Sequence, residues 1–171
     1  VYTRVFDTTD SSVTLTSPEE REVVAYLDDL GRVTEIDLDP ALEPILVEWD
    51  GQGRLDMVQF GDLAADLEYD GLNRLETLTD SLQRETRWTH DDADRAETVT
   101  LPSGVTYVLG YDDNGNLAEV TMPSSYTHEQ GYTAVDYHHT YVPPGGTGIR
   151  TTDYDLDRDV SLITLAGGRT L

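Results

Sequence analysis

The chain has 171 residues and a formal net charge of −23, because 34 acidic side chains face only 11 basic ones. All basic residues are arginines, and cysteine is absent, which excludes disulfides and thiolate metal sites. The acidic surface predicts no nucleic-acid partner, since phosphate binding requires basic side chains. No run of about 18 apolar residues occurs, so no membrane insertion is expected either.

The predicted elements repeat about every 21 residues along the chain. After a faint first copy at Phe6-Asp7, an aromatic or apolar residue begins each copy at Leu27, Trp49, Tyr69, His90, Tyr111, Tyr132 and Tyr154. Aspartate follows in every copy except that of Tyr132, which is followed by Thr133. In most copies, an aliphatic residue recurs six places and again nine places after the aromatic position. A period of this length is typical of a repeat architecture.

Each copy predicts a β-hairpin. A strand rich in Val, Leu, Thr and Tyr, such as Val105 to Tyr111, leads into a turn of Asp with Gly or Asn, and a second strand follows. A further turn cluster between copies, such as Pro102-Ser103-Gly104, leaves two strands of about 5–7 residues per repeat. We therefore expect an all-β fold of about 14 strands, with antiparallel hairpins forming a curled or spiral sheet.

The turn residues form the predicted structural site. Aspartate oxygens accept backbone N–H bonds in such turns, and Gly, Asn or Asp tolerates positive φ. The predicted turn residues are Asp28, Gly31, Asp50, Gly53, Asp70, Asn73, Asp91, Asp94, Asp112, Gly115 and Asp155, and the repeat aromatics are Trp49, Tyr69, Tyr111, Tyr132 and Tyr154. Arg158 stands at the positive-φ position of the last copy, so that turn should be different or strained.

Two chemical alternatives compete with this structural interpretation. The acidic segments 112–116 and 153–157 resemble Ca²⁺ loops, but neither has the complete ligand spacing, and turn formation already explains their aspartates. His138 and His139 are adjacent and point to opposite faces of a strand, so they cannot both bind one ion in regular β geometry. A catalytic histidine requires a nucleophile, and the sequence has no Ser-containing elbow or Cys to supply one. We predict no catalytic residue, no metal site and no cofactor.

The aromatic residues permit a third alternative, a carbohydrate-binding platform. The regular phase places most of them at equivalent positions, where stacking between neighbouring strands is their expected role. Trp88 and Tyr137 lie outside the main phase and are the exceptions to that expectation.

The motif Tyr-Asp-x-x-Gly-Asn/Arg-Leu-x-x-Val/Leu, present at residues 111–120 and 49–58 and, with Asn for Gly, at 69–78, resembles the YD-repeat or Rhs (rearrangement hot spot) family. The resemblance covers about residues 22–171. It implies a large β-shell built from a spiralling strip of hairpins, which encloses a C-terminal toxin in Rhs proteins and supports adhesion in teneurin-like proteins. The self-cleaving Asp-Pro-x-Gly segment of the toxin-releasing members is missing, because Asp39-Pro40 is followed by Ala41-Leu42.

These observations predict that residues 1–171 form a single array of about seven to eight repeats, a wall segment of a longer shell in a secreted or surface protein. The expected partners are the remainder of that shell or further copies of the chain, with an enclosed toxin as cargo. The alternative is a binding module of the teneurin-like type that recognises a surface glycan or protein.

Overall fold

The computed structural model describes residues 2–171, which form sixteen β-strands and no helix. The strands are antiparallel, and their order in one open sheet is their order in the chain. This confirms the expected all-β hairpin fold. The number of strands exceeds the expected 14, because the faint copy at Phe6 and the stretch that follows it also form strands.

The chain divides into two compact units, Val1–Glu85 and Thr86–Leu171. The strands of the first unit are β1 (Thr3–Asp7), β2 (Ser12–Thr16), β3 (Glu22–Leu27), β4 (Val33–Asp37), β5 (Ile45–Trp49), β6 (Leu55–Phe60), β7 (Leu63–Tyr69) and β8 (Leu75–Asp80). Those of the second unit are β9 (Glu85–His90), which begins one residue before the boundary, β10 (Ala96–Thr100), β11 (Thr106–Tyr111), β12 (Leu117–Thr121), β13 (Thr127–Tyr132), β14 (His138–Val142), β15 (Arg150–Tyr154) and β16 (Val160–Thr164).

A β-bulge recurs at the same place in the hairpins closed by the repeat turns. In β7 and β8, Tyr69 pairs with Leu75, whereas the preceding Glu68 pairs with Thr77, so Glu76 is left as the extra residue. The same shift occurs between β11 and β12, where Ala118 is the extra residue. A bulge increases the local twist of a hairpin.

The pairing gives the sheet two different faces. Ile45, Val47 and Trp49 lie on one face with their cross-strand partners, among them Val58 opposite Val47. In the second unit, Leu109 lies opposite Val120 on the equivalent surface. We call this the apolar face: it carries the repeat aromatic, the residues two and four places before it, and those six and nine places after it. The opposite, polar face is richer in Glu, Asp and Thr.

Threonines stabilise the polar face by pairing across neighbouring strands. The hydroxyls of Thr89 and Thr98 lie 2.7 Å apart, and those of Thr100 and Thr106 lie 2.9 Å apart. A third pair joins Thr121 to Thr127 at 2.9 Å. Such cross-strand pairs stabilise a sheet by about 0.2–1 kcal/mol each.

The apolar face is only half-buried. Within residues 2–171, Val13 is the one hydrophobic residue whose side chain is classed as buried, and residues such as Trp49, Leu67 and Leu109 remain partly accessible. The total accessible area is 11722 Å², against about 8,400 Å² for a compact protein of this mass. Within residues 2–171, side chains are therefore buried mainly by contact with neighbouring strands of the sheet.

Candidate functional site

The repeat turns share one backbone geometry. In the turn 70–74, the Asp70 N–H donates to the Arg74 carbonyl at 2.8 Å, and the Asn73 N–H donates to the Asp70 carbonyl at 3.0 Å. Asn73 has φ 69°, in the left-handed region. This is the three-residue hairpin loop in which the last loop residue is left-handed. The residues in the equivalent position have φ between 61° and 89°: Gly31, Gly53, Asn73, Asp94, Gly115, Asp136 and Arg158.

The last of these turns departs in sequence but not in geometry. The Asp155 N–H donates to the Asp159 carbonyl at 2.9 Å, and the Arg158 N–H donates to the Asp155 carbonyl at 3.1 Å. Arg158 has φ 73°. The turn therefore has the same shape as the others, so the expectation of a different turn is wrong. Its strain lies in the left-handed conformation of Arg158, a residue that carries a Cβ.

The aspartate that follows the first residue of a copy organises its own loop. Asp50 Oδ1 accepts the N–H groups of Gln52 and Arg54 at 2.8 and 2.9 Å, and Asp50 Oδ2 accepts the Arg54 Nε–H at 2.7 Å. We call this arrangement the Asp–Arg bracket. It recurs between Asp28 and Arg32, Asp70 and Arg74, and Asp91 and Arg95. The structure also places a bracket between Asp80 and Arg84, at the opposite end of the hairpins, which the repeat alignment did not predict.

The bracket stabilises the ionised form of its aspartate. The pKa of Asp70 is lowered to about 2, first by the hydrogen bond from the Arg74 backbone and then by the Arg74 side chain, the Leu72 N–H and the positive charge of Arg74. The pKa values of Asp28 and Asp50 are lowered for the same reasons. In Asp91 and Asp80 the arginine side chain is the largest cause of the lowered pKa. These turns therefore hold their charge well into the acid range.

The repeat aromatics join each copy to the one before it. The Tyr69 hydroxyl donates to the Leu55 carbonyl at 2.8 Å, and the Tyr111 hydroxyl donates to the Ala96 carbonyl at 2.8 Å. The equivalent bonds run from Trp49 Nε1 to Val33, from Tyr132 to Leu117 and from Tyr154 to His138, at 2.8, 2.9 and 2.8 Å. In each case the acceptor belongs to the first residue of the strand that leaves the previous turn.

Bracket arginines also cover these rings. The guanidinium carbon of Arg54 lies 4.3 Å from the centre of the Tyr69 ring, and that of Arg95 lies 4.3 Å from the Tyr111 ring. Arg32 lies 5.4 Å from the Trp49 ring. One arginine therefore closes its own turn and packs on the ring of the next copy. The sequence contained a signal for this contact between arginine and ring, although it was not recognised. An arginine stands five residues after the first residue of one copy, and an aromatic residue begins the next.

The turn 133–137 lacks the bracket, as its sequence indicated. Thr133 Oγ1 replaces the carboxylate and accepts the Tyr137 N–H at 3.1 Å. Tyr137 stands in the arginine position, and its ring lies 5.1 Å from that of Tyr154, the next repeat aromatic, at an interplanar angle of 48°. Tyr137 therefore packs on the repeat aromatic of the next copy, as the bracket arginines do in other turns.

Beside this pair of tyrosines lies a cleft of about 560 Å³. We call it the Tyr137 cleft. Its lining consists of Thr133, Val135, Tyr137, His139, Asp153, Tyr154, Asp155, Leu156 and Arg158. His139 Nδ1 lies 2.9 Å from the Thr152 carbonyl and 3.7 Å from Asp153 Oδ1. The cleft combines aromatic rings with carboxylates at the surface.

The remaining candidate residues, two histidines and two asparagines, are bonded to or packed against neighbouring side chains. His128 Nδ1 lies 2.7 Å from the Tyr141 hydroxyl, and His138 packs edge-on against the Tyr132 ring at 5.8 Å. Asn114 and Asn116 both donate to Asp136 Oδ1, at 2.9 and 2.8 Å. No group of three or more His, Asp or Glu side chains that could hold a metal ion occurs within residues 2–171. The same stretch contains no helix long and apolar enough to cross a membrane.

The repeat geometry agrees with a comparison against protein-family models, in which the teneurin YD-shell model matches residues 1–169. The chain belongs to the teneurin YD-shell family. This confirms the resemblance to YD-repeat proteins, and the match also includes the N-terminal strands, which the motif did not cover. The YD-shell family identifies the chain as a structural shell segment. No curated protein sequence matches the chain.

Solved structures with the same fold include TcdB2-TccC3 structures and a Tc holotoxin pore. The structure of TcdB2-TccC3-Cdc42 superposes with a TM-score of 0.71 at 16% identity, over 96% of this chain and 10% of that one. TcdB2-TccC3 without its hypervariable C-terminal region gives 0.70 at 17% identity, with the same coverage. The Tc holotoxin pore of Photorhabdus luminescens gives 0.68 at 12% identity, over 93% of this chain and 11% of that one. The YD-shell chain thus spans about a tenth of these neighbours, and the likeness shows the fold.

The left-handed loop position predicts unequal effects for two glycines of one turn. Gly53 has φ +83°, and a Cβ there would meet Arg32 Nη1 at 3.3 Å, whereas Gly51 has open space and no left-handed φ. We expect Gly53→Ala to lower the free energy of unfolding by about 1–2 kcal/mol. Gly51→Ala should leave it unchanged or raise it by up to about 1 kcal/mol. Urea denaturation measures both, and equal losses would contradict the assigned turn.

The bracket predicts a stability difference that depends on pH. Asp70→Asn keeps an oxygen for the backbone N–H groups but loses the ionic bond to Arg74. Because the pKa of Asp70 is about 2 in the folded chain and about 3.9 when unfolded, its charge stabilises the fold above about pH 4, and this stabilisation disappears as pH falls towards 2.

We therefore expect wild type to be more stable than Asp70→Asn by a constant amount from pH 7 to 5, with the difference narrowing between pH 4 and 2. Asp56→Asn, on an exposed bulge residue, is the control for removing one negative charge. A difference for Asp70→Asn that does not change with pH would show that the ionic bond contributes nothing.

The bond between copies predicts that one tyrosine hydroxyl matters more than another in the same strand. Tyr111→Phe removes the donor to the Ala96 carbonyl, and we expect a loss of about 1 kcal/mol in unfolding free energy. Tyr107, also in β11, has no hydrogen bond through its hydroxyl within the described residues, so Tyr107→Phe is the matched control. Similar denaturation midpoints for the two variants would refute the role of the bond.

Proposed function

We propose that residues 1–171 form one continuous YD-repeat array that serves as a wall segment of a toxin-enclosing shell in a secreted protein. The observation that supports this most directly is the recurring connection between copies. The hydroxyl of a repeat aromatic bonds to the preceding copy, as in Tyr69 and Tyr111, and bracket arginines cover the rings. These aromatic and arginine side chains connect neighbouring hairpins of the sheet.

The absence of catalysis belongs to the same proposal. In the turns that carry an Asp–Arg bracket, the carboxylate and the guanidinium group are bonded to each other, as in Asp50 and Arg54. His128 is bonded to Tyr141 and His139 to a backbone carbonyl. Such mutually satisfied groups support a structural role rather than acid–base chemistry.

The half-buried apolar face supports enclosure. A contiguous apolar surface facing open water favours association, whereas the same surface turned inwards is removed from bulk solvent. The polar face, with exposed carboxylates such as Glu48, Glu68 and Glu119, is suited to solvent. We propose that the apolar face lines the interior of the shell. The remainder of the shell, or further copies of the chain, completes the wall, and a toxin is the cargo.

Cysteine labelling tests this proposal, because the chain has no cysteine of its own. Val47→Cys places a thiol on the apolar face, and Glu48→Cys places one on the polar face of the same strand. Each variant is prepared in the full-length protein and in the 171-residue chain. A maleimide carrying a bulky polyethylene glycol is then applied to all four.

We expect the full-length protein to protect the Val47→Cys thiol strongly relative to the isolated chain, while the Glu48→Cys thiol reacts equally in both. Mass spectrometry of the labelled proteins measures the two rates. Equal reactivity of both thiols in the full-length protein would contradict enclosure.

A second candidate function is adhesion, in which the sheet recognises a glycan or a protein at a cell surface. The Tyr137 cleft is the observation that favours it, since it presents aromatic rings and polar groups together. Free access to both faces of the full-length protein would favour this candidate.

A further inference from the structure

The Tyr137 cleft lies at two successive turns that lack the Asp–Arg bracket. Thr133 and Tyr137 replace the aspartate and arginine of one bracket, and Asp159 stands in the arginine position of the next. Within residues 2–171, no arginine pairs with Asp155. These two neighbouring turns therefore lack the guanidinium group of the bracket, as does the preceding turn, where Asn116 stands in the arginine position.

The complete turns show what a guanidinium group contacts at this place. Arg54 donates from Nε to the Asp50 carboxylate at 2.7 Å, and its guanidinium carbon lies 4.3 Å from the Tyr69 ring. Arg95 repeats this with Asp91 at 2.8 Å and with the Tyr111 ring at 4.3 Å. In these turns, and in that of Arg32, the guanidinium contacts one carboxylate and one aromatic face.

The cleft offers both kinds of partner from one copy, Tyr154 and Asp155, because Thr133 stands where the carboxylate of a bracket would lie. Asp155 uses Oδ1 for the N–H groups of Asp157 and Asp159, at 2.9 and 3.0 Å, and its Oδ2 has no bracket arginine. The rings of Tyr137 and Tyr154 supply aromatic surface. Asp153 adds a second carboxylate to the lining, which Arg158 alone counterbalances with a permanent positive charge.

We propose that the Tyr137 cleft binds the guanidinium group of an arginine side chain from a partner polypeptide. The planar guanidinium stacks on aromatic rings and bonds to carboxylates in a way that a lysine ammonium does not reproduce. The volume of about 560 Å³ lies in the ordinary range of ligand pockets, about 300–1,000 Å³. This proposal goes beyond the shell function and holds whether or not the shell encloses a toxin.

The test is a titration of the ¹⁵N-labelled 171-residue chain with the blocked peptide acetyl-Gly-Arg-Gly-amide, followed by NMR. We expect saturable shift changes at the backbone amides of the cleft residues, such as Val135, Tyr137 and Leu156, with Kd on the order of millimolar. The lysine analogue of the peptide should bind at least about tenfold more weakly. Methyl glucoside serves as the sugar probe and should leave the cleft amides unchanged.

Repair of the missing bracket provides the decisive variant. The double variant Thr133→Asp/Tyr137→Arg gives the turn its own carboxylate and guanidinium, which should cover Tyr154 and reduce peptide affinity by at least about tenfold. Asn116→Arg adds the same charge at the same position of the preceding turn, outside the cleft, and should leave the affinity unchanged.

Asp155→Asn gives a second measurement should the double variant fail to fold. It keeps Oδ1 for the two backbone N–H groups and removes the charge, so peptide affinity should again fall by about tenfold. Equal binding of the arginine and lysine peptides, binding unaffected by the double variant or by Asp155→Asn, shift changes caused only by methyl glucoside, or no saturable change at all would each overturn the proposal.

Discussion

The structure depends on one side-chain connection that spans two copies of the repeat. An arginine fixed by the aspartate of its own turn lies over the aromatic ring of the next copy, as Arg54 lies over Tyr69, and that ring bonds back to a carbonyl beside the arginine. Each member positions the others, because the carboxylate orients the guanidinium and the guanidinium covers the ring. Lateral contacts of this kind are what a repeat array uses in place of a central core.

This connection explains how a sheet with one half-buried face stays ordered. A single hairpin is at best marginally stable, because it has no second layer on which to bury its apolar side chains. Here the turns are rigid, the rings extend from one hairpin to the next, and threonine pairs such as Thr121 and Thr127 join strands on the polar face. The stabilising contacts are therefore distributed along the strip. The apolar face stays partly accessible and is free to contact other parts of a shell.

The sequence was sufficient for the fold because hairpins are local. The 21-residue period and the Asp–Gly spacing predicted the antiparallel strand order, and the positive φ of Gly53 and Asn73 lies where that spacing placed it. The bulge after each turn was missed although its signal was present. Apolar residues six and nine places after the repeat aromatic share one face only if one residue between them is extra, as Glu76 and Ala118 are. The contacts of Arg54 and Tyr137 were also missed, because they join residues about 15 positions apart and depend on how one hairpin lies beside the next.

The irregular turns near the C-terminal end separate the structural requirement from other uses of the same positions. Thr133 and Tyr137 keep the loop and the ring contact without any charge, so the bracket is not needed for a turn to form. Asp155 keeps its backbone hydrogen bonds without an arginine. The backbone geometry is thus preserved while the cation is lost, which leaves a carboxylate and two rings beside an open cleft. Where a turn of a repeat protein loses its bracket arginine but keeps its backbone geometry, the side chains that the arginine would contact become available for binding.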